Sequence, residues 1–279
     1  MRRRIVCIPS KLSCTLRWVK MLEDIVFEYY DSVDSTNERI KSRAREGASQ
    51  GLVISAGNQT AGKGRIGRKW ESPEDVSIST SILLTPQDIP IESVPTITVV
   101  AAMAVRKALA DTCGLKGQIK WPNDIVFDGK KICGILTEME MRSGKVWYVT
   151  CGIGVNVHNM DFSEDIAYKA TSVDLELKKQ VDTPVKRGSR RDITRAIWFA
   201  FRDYYNIFLK TSDMSGLRED YEKWLANKNN RVRIEEPAGA YEAVALGIDD
   251  SGALRIDVGG EIRLIKSGEV SVRGIYGYT

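Results

Sequence analysis

Ala61–Trp70 reads AGKGRIGRKW, and the rest of the chain is arranged around it. Three glycines (Gly62, Gly64, Gly67) alternate with Lys63, Arg65 and Arg68, and Lys69 and Trp70 follow. Glycine allows close backbone approach to a ligand and positive φ. Lys and Arg donate to phosphate or carboxylate, Arg through a planar fork. Trp offers a flat apolar face to a ring system. The mixture suits a small anion that carries a heterocycle, such as a nucleotide; the plain alternative is a solvated basic loop. The stretch is not a Walker A loop, because G-x-x-x-x-G-K-[ST] does not fit. Its glycine spacing matches G-x-G-x-x-G in letters only. Glu71-Ser72-Pro73, a turn, and then an alternating strand stand where the dinucleotide fold needs a helix.

Upstream of the loop, residues 25–30 read as a strand. Asp34-Ser35-Thr36-Asn37-Glu38 has the form of a capping box, with Ser35 as N-cap and Glu38 three residues on. The helix it opens runs to Glu46, and Gly47 ends it. Residues 52–58 are a short apolar strand leading into the loop. Downstream, Val76, Ile78, Thr80, Ile82 and Leu84 alternate as a strand with one buried face. Pro95 opens a long Val- and Ala-rich helix to Asp111, with Gly114 past its end. Asp128-Gly129 and Ser143-Gly144 are hairpin turns that delimit strands at 125–127, 131–141 and 146–157. Residues 158–189 are mostly loop with one short helix at 173–179, and 186–191 (KRGSRR) read as a solvated helix entrance. Ile193, Ile197, Phe201, Tyr205 and Phe208 mark an amphipathic helix, and 217–225 another. Beyond Asn229-Asn230 the period becomes two. Five short strands there, with turns at Asp249–Gly252 and Gly259-Gly260, predict a β-barrel or sandwich of about fifty residues.

The 279 residues suffice for one large domain and one small one. A net charge of +4, from 41 basic and 37 acidic residues, permits a basic site without demanding a nucleic-acid partner. The five cysteines (Cys7, Cys14, Cys113, Cys133, Cys151) form no C-x-x-C, and His158 is the single histidine. A metal cage is therefore disfavoured, and a reducing cytoplasmic compartment is expected. No apolar run reads as membrane-spanning. Residues 1–20 are basic and weakly patterned and precede a second methionine, Met21. They read as a disordered tail or an over-extended start, with a short basic arm that docks on the carrier protein or on nucleic acid as the competing idea, rather than as a signal peptide.

Chemistry concentrates in three further segments. Lys120-Trp121-Pro122-Asn123-Asp124 lies where one strand gives way to the next, and Pro122 stiffens that corner. Lys131 follows a hairpin turn, with Gly134 behind it. Gly152-Ile153-Gly154-Val155-Asn156 is a glycine-thinned strand ending in an amide. Each alone has an ordinary structural explanation: a turn carboxylate, an exposed lysine, tightly packed glycines. Their joint occurrence in this order is another matter.

GKGRIGRKW, KWPNDI, GKKICGIL and GIGVNV, taken together, resemble the biotin protein ligases. The resemblance runs from about Phe27 to the C-terminus, where GEVSVRG is also similar to that family. It implies an α+β fold: a mixed sheet with flanking helices, like that of class II aminoacyl-tRNA synthetases, then a small SH3-like β-barrel. The implied division is a basic extension (1–24), a catalytic domain (25–229) and the C-terminal domain (230–279). The implied reaction makes biotinyl-5′-AMP from biotin and ATP with Mg²⁺, then transfers biotin to a lysine of a biotin carboxyl carrier protein.

By resemblance, Ser35, Thr36, Asn37 and Gln59 hold the biotin ureido ring, and the backbone at Gly62 and Lys63 closes over it. Lys131 holds the biotin carboxylate against the α-phosphate, and Gly134 and Gly152 line the valeryl chain. Arg65, Arg68, Lys120, Asn123 and Asn156 belong to the ATP side, where Trp70 covers the adenine. Asp124 is the residue that receives the proton of the attacking lysine. Glu269 and Arg273 reach over from the small domain. The residue types agree with this chemistry, since cations are needed where two anions meet and a mobile loop protects an anhydride from water. The family loop usually reads GRGRxGR, so Lys63 stands in place of an arginine. Many members carry an N-terminal DNA-binding winged helix. The residues before Asp34 are too few for one, so no DNA binding is expected. Family members often dimerise through the catalytic sheet. Two other readings are a nucleic-acid-binding protein, which the modest charge disfavours, and a lipoate-type acyltransferase on the same fold.

Overall fold

The computed structural model describes residues 4–10, 13–19, 21–71, 74–87, 89–180, 187–267 and 271–274, with side chains from residue 21 onward. Glu269 and Lys186 lie outside the described residues. Strands β1 (Arg4–Ser10) and β2 (Ser13–Val19) pair as an antiparallel hairpin. That corrects the reading of this segment as a weakly patterned, disordered tail. Cys14, Leu16 and Trp18 do alternate with Ser13, Thr15 and Arg17, a period of two over a short span.

The main layer is a seven-stranded sheet built from β3 (Val26–Val33), β4 (Leu52–Gln59), β5 (Ser77–Leu84), β6 (Gln118–Lys120), β7 (Asp124–Phe127), β8 (Lys130–Arg142) and β9 (Lys145–Asn156). Its order is β3-β4-β5-β9-β8-β7-β6; β3–β4 is parallel and the other pairs are antiparallel. Helix α1 (Thr36–Arg45) covers one face, where Ile40 and Ala44 pack on Leu52, Ile54, Leu83 and Tyr148. Helices α2 (Thr96–Cys113) and α5 (Arg190–Thr211) cover the other with the larger core, which contains Val53, Ile78, Ile82 and Leu84. Strand β5 is therefore buried on both faces and not on one. Its alternation separates two cores, Ser79 and Ser81 pointing to the α1 side with Leu83.

The turns follow their chemistry. Asp128 (φ 47°) and Gly129 (φ 74°) both adopt positive φ, as do Ser143 (φ 51°) and Gly144 (φ 74°), the primed geometry that matches strand twist. Gly114 closes α2 in the left-handed region at φ 69°. The span Ile91–Cys113 is, contrary to the reading above, long and apolar enough to cross a bilayer. Here it is a core helix, 72% of that window being buried inside the protein.

Short helices α3 (Glu164–Ala167) and α4 (Val173–Lys178) precede α5, and α6 (Arg218–Lys223) follows it. The run at 186–191 does contain a helix entrance, and its working part is a capping box. Ser189 Oγ accepts from Asp192 N, and Asp192 caps Ser189 N in return. The C-terminal layer is an antiparallel sheet of β10 (Arg231–Glu236), β11 (Gly239–Ile248), β12 (Leu254–Val258), β13 (Glu261–Ile265) and β14 (Ser271–Gly274), ordered β13-β12-β11-β10-β14. It is seated on the main layer. Trp121 Nε1 donates to Gly252 O at 3.0 Å, Thr96 Oγ1 to Ser251 O at 2.7 Å, and Ile248 N to Glu222 Oε1 at 3.0 Å.

Candidate active site

The α1 side of the sheet carries a cleft built from the start of α1, the end of β4 at Gln59, strands β8 and β9, and the Gly-rich loop. At one end, Ser35 is the N-cap of α1, but Glu38 does not return to cap it and no side-chain cap bond forms. The predicted capping box is therefore absent. The Glu38 carboxylate instead takes Lys63 Nζ at 2.7 Å and Lys41 Nζ at 3.0 Å.

The buried side chains at this end satisfy each other. Thr36 N and Oγ1 both donate to Gln59 Oε1, at 2.8 and 3.1 Å. Ser81 Oγ sits 2.7 Å from Thr36 Oγ1 and 2.7 Å from Asn37 Oδ1. Gln59 Nε2 donates to Ser79 Oγ at 3.2 Å, and Asn37 Nδ2 donates to Glu138 Oε2 at 2.7 Å. Polar groups so buried must be paired, and a ligand that re-pairs them is recognised by its donor and acceptor pattern.

The floor is glycine. Gly134 of β8 faces Gly154 of β9, and Gly152 faces Leu136. A Cβ at Gly152 would strike the Asn37 amide, and one at Gly154 would fall inside the Trp70 indole. Trp70 thus lies flat on a bare strip of sheet, and its indole N–H is buried without an acceptor among the described residues.

At the other end Lys131 Nζ pairs with Asp124 Oδ1 at 2.6 Å and stands 5.9 Å from the Trp70 ring centre. Asp124 is registered opposite Lys120 at the β6–β7 turn. Lys120 is almost fully buried. Burial, and then the fields of Lys131, Arg273 and Arg68 against a partly offsetting Asp124, bring its pKa down to about 8. Burial pushes the Cys151 thiol up to about 12 and raises Cys133 as well, so neither is a nucleophile at neutral pH.

The loop folds as its own small ladder. Trp70 N donates to Gly62 O at 3.0 Å, Gly64 N to Arg68 O at 2.7 Å, and Lys63 bridges Lys69. Its tip turns through Ile66 (φ 55°) and Gly67 (φ 68°). Arg65 reaches Asn123 Oδ1 at 2.9 Å and, from the C-terminal layer, Ser267 O at 2.7 Å.

Of the residues singled out in the sequence, Ser35, Thr36, Asn37, Gln59, Lys63, Arg65, Trp70, Asn123, Lys131, Gly134 and Gly152 line one cleft. Asp124 and Lys120 stand directly behind Lys131. Gly62 and Arg68 belong to the loop's ladder and do not line the cleft. Asn156 is turned away, its amide donating to Thr171 O at 3.0 Å. Arg273 pairs with Glu235 at 2.7 Å. His158 is bound to Asp174 Oδ2 at 3.0 Å, off the cleft, so a His-based triad has no basis. Gly154, named in the glycine-thinned strand, lines the cleft too, whereas Ser79, Ser81 and Glu138 were not expected there. The serines left a signal in the alternation of β5, where Ser77, Ser79 and Ser81 interleave with apolar residues.

Two family models match the chain in the same arrangement: the biotin/lipoate A/B protein ligase family over residues 29–156, and the biotin protein ligase C-terminal domain over 229–273. The bifunctional ligase/repressor BirA of Bacillus subtilis is 32% identical over 256 residues, covering 89% of this chain and 75% of that protein. The chain belongs to the biotin protein ligase family. The biotin–[acetyl-CoA-carboxylase] ligase of Mycobacterium tuberculosis is 30% identical, with 78% of each chain covered. A solved biotin protein ligase from Aquifex aeolicus, in complex with biotin and ATP, superposes with a TM-score of 0.75 at 27% identity. It covers 89% of this chain and 98% of that one. The seven-stranded layer is accordingly the class II synthetase-like sheet of biotin protein ligases, and the five-stranded layer their SH3-like domain.

Proposed function

We propose that this chain activates biotin with ATP as biotinyl-5′-AMP and transfers the biotinyl group to a lysine of a biotin carboxyl carrier domain. The observation that carries this is the polarity of the cleft: a paired amide and hydroxyl cluster at one end, a glycine floor, and Lys131 with Asp124 at the other. A molecule with a cyclic urea, an aliphatic tail and a terminal carboxylate has that sequence of groups. On this reading Ser35, Thr36, Asn37 and Gln59 take the ureido ring, and Gly62 and Lys63 close over it. Gly134 and Gly152 flank the tail, and Lys131 receives the carboxylate. Trp70, Arg65, Arg68, Lys120, Asn123 and Arg273 serve the nucleotide, and Asn156, turned away toward Thr171, is left out of that set.

In the first step biotin's carboxylate oxygen attacks the α-phosphorus and pyrophosphate leaves. Lys131 offsets the repulsion of the two anions, and the fixed cations around it need no reorganisation as charge shifts. In the second step the carrier's lysine amine attacks the acyl carbon, AMP leaves, and Asp124 accepts the amine's proton. Asp124 is the carboxylate at the lysine end of the cleft and is already paired with Lys131. Mg²⁺, entering with the ATP phosphates, would supply neutralising charge for the pyrophosphate.

The acceptor is the carrier domain of a biotin-dependent carboxylase or decarboxylase. Residues 25–229 act as the catalytic domain and 230–279 as the SH3-like domain, 1–24 being an extension. Cys113, Cys133 and Cys151, buried and unbridged, support a reducing, cytoplasmic setting. The test is pyrophosphate release with biotin, with lipoate, and with neither, together with mass spectrometry of the purified protein for bound biotinyl-5′-AMP. Release with lipoate and not biotin would move the assignment to the acyltransferase branch of the same family.

A further inference from the structure

The Gly-rich loop is held at three points: Trp70 on Gly154, Arg65 on Asn123 and Ser267, and Lys63 on Glu38. The third is peculiar in its chemistry. The loop lysine stands where the resembling motif has arginine, and its ammonium is committed to a carboxylate of α1. That carboxylate belongs to a chain of paired groups. Glu38 Oε1 also takes Lys41 Nζ at 3.0 Å, Lys41 reaches Glu138 Oε1 at 2.8 Å, and Glu138 Oε2 accepts from Asn37 Nδ2 at 2.7 Å. The loop is thus tied through four side chains to the buried polar end of the cleft.

We propose that Glu38 is a positioning residue that latches the Gly-rich loop onto α1 through Lys63, and so sets how long the acyl-adenylate stays enclosed. The proposal rests on the function assigned above. Glu38 is not among the residues that line the cleft, and on this proposal it acts only through Lys63. The Lys63 hydrogen bond, first among several, holds the Glu38 carboxyl below its usual range, so the latch is charged at neutral pH. With side-chain exposures of 52% for Lys63 and 30% for Glu38, the pair is screened by solvent. It biases the closed loop without locking it, as a lid that opens once per turnover requires. Arginine in place of Lys63 would fork across two acceptors; a single ammonium leaves this third hold resting on one carboxylate.

A competing explanation is that Glu38 merely favours the first turn of α1, as an acidic residue there does. A double-mutant cycle separates the two. Glu38→Gln, Lys63→Met and the double variant are compared by two readouts. The first is hydrogen exchange of the loop amides of Gly64 and Trp70 in ligand-free protein. The second is the dissociation rate of biotinyl-5′-AMP. Glu38→Gln is expected to raise both about two- to fivefold in the Lys63 background, with pyrophosphate release within about twofold of wild type. It is expected to change neither in the Lys63→Met background, and about 0.5 M salt should shrink the first difference. Equal effects in both backgrounds, or none in either, overturn the latch. The exchange readout needs no substrate. A wild-type protein that releases no pyrophosphate with biotin would therefore refute the function while leaving the latch to be judged by exchange alone.

Discussion

At the scale of single residues, the site depends on charges held where two anions must meet. Lys131→Ala is expected to abolish adenylation while the fold survives. Loss of one preorganised contact of this kind costs about 2.7–4 kcal/mol in the transition state. Biotin-dependent pyrophosphate release is the measurement, and a near wild-type rate would remove Lys131 from its role. Lys120 carries the pH dependence. Its folded pKa of about 8 lies below the ordinary 10.5. Between those values the unfolded chain holds a proton that the folded chain has released, so this group's contribution to stability rises with pH across that window. Phosphate binding favours the charged form, so nucleotide binding near pH 8.5 should take up part of a proton. Calorimetry in two buffers of different ionisation enthalpy measures the uptake, which should vanish in Lys120→Met.

At the scale of elements, the loop and β9 are shaped to each other. Gly154→Ala places a methyl group inside the space of the Trp70 indole, whose collision partners are ring atoms that cannot bend aside. Trp70 must lift, and its emission should shift toward that of exposed indole while the rest of the fold melts normally. An unshifted spectrum would mean that Trp70 does not rest on the glycine strip in solution. Arg65→Gly keeps a loop that can still turn at Ile66 and Gly67, but removes its bonds to Asn123 and Ser267. A charge-assisted bond of this sort is worth roughly 1.5–3 kcal/mol. The intermediate should dissociate faster and label lysines of bystander proteins, which mass spectrometry of a mixed protein pool would detect.

At the scale of the molecule, the two sheets are not beads on a string. Trp121, 1% exposed, gives its indole N–H to Gly252 of the C-terminal layer. Removing residues 230–279 would uncover that ring and leave a donor unpaired. Exposing a large apolar side chain costs about 1.5–3 kcal/mol and an orphaned donor about 1–3 kcal/mol more. A loss of about 3 kcal/mol lowers the melting temperature of a chain this size by roughly 6–12 °C. A truncated protein that melts with the full chain would show that the C-terminal layer adds nothing to the stability of the first.

What the sequence determined by itself was local in origin. Alternation and turn residues placed the hairpins at Asp128-Gly129 and Ser143-Gly144 and the five closing strands, because strand period and left-handed turn geometry are written in neighbouring residues. The Gly/Arg loop, the KWPND corner and the glycine strand could be named as a constellation for the same reason. Tertiary structure alone decided how they meet. Glu38 has the spacing of a cap, yet a lysine 25 positions away outbid the backbone for its carboxylate. Arg65 found its acceptor 202 positions away, in another layer. The β5 serines looked like the wet side of a half-exposed strand until α1 covered them. In each case the deciding partner is distant in the chain. Pairing energy depends on distance in space, which local pattern does not encode.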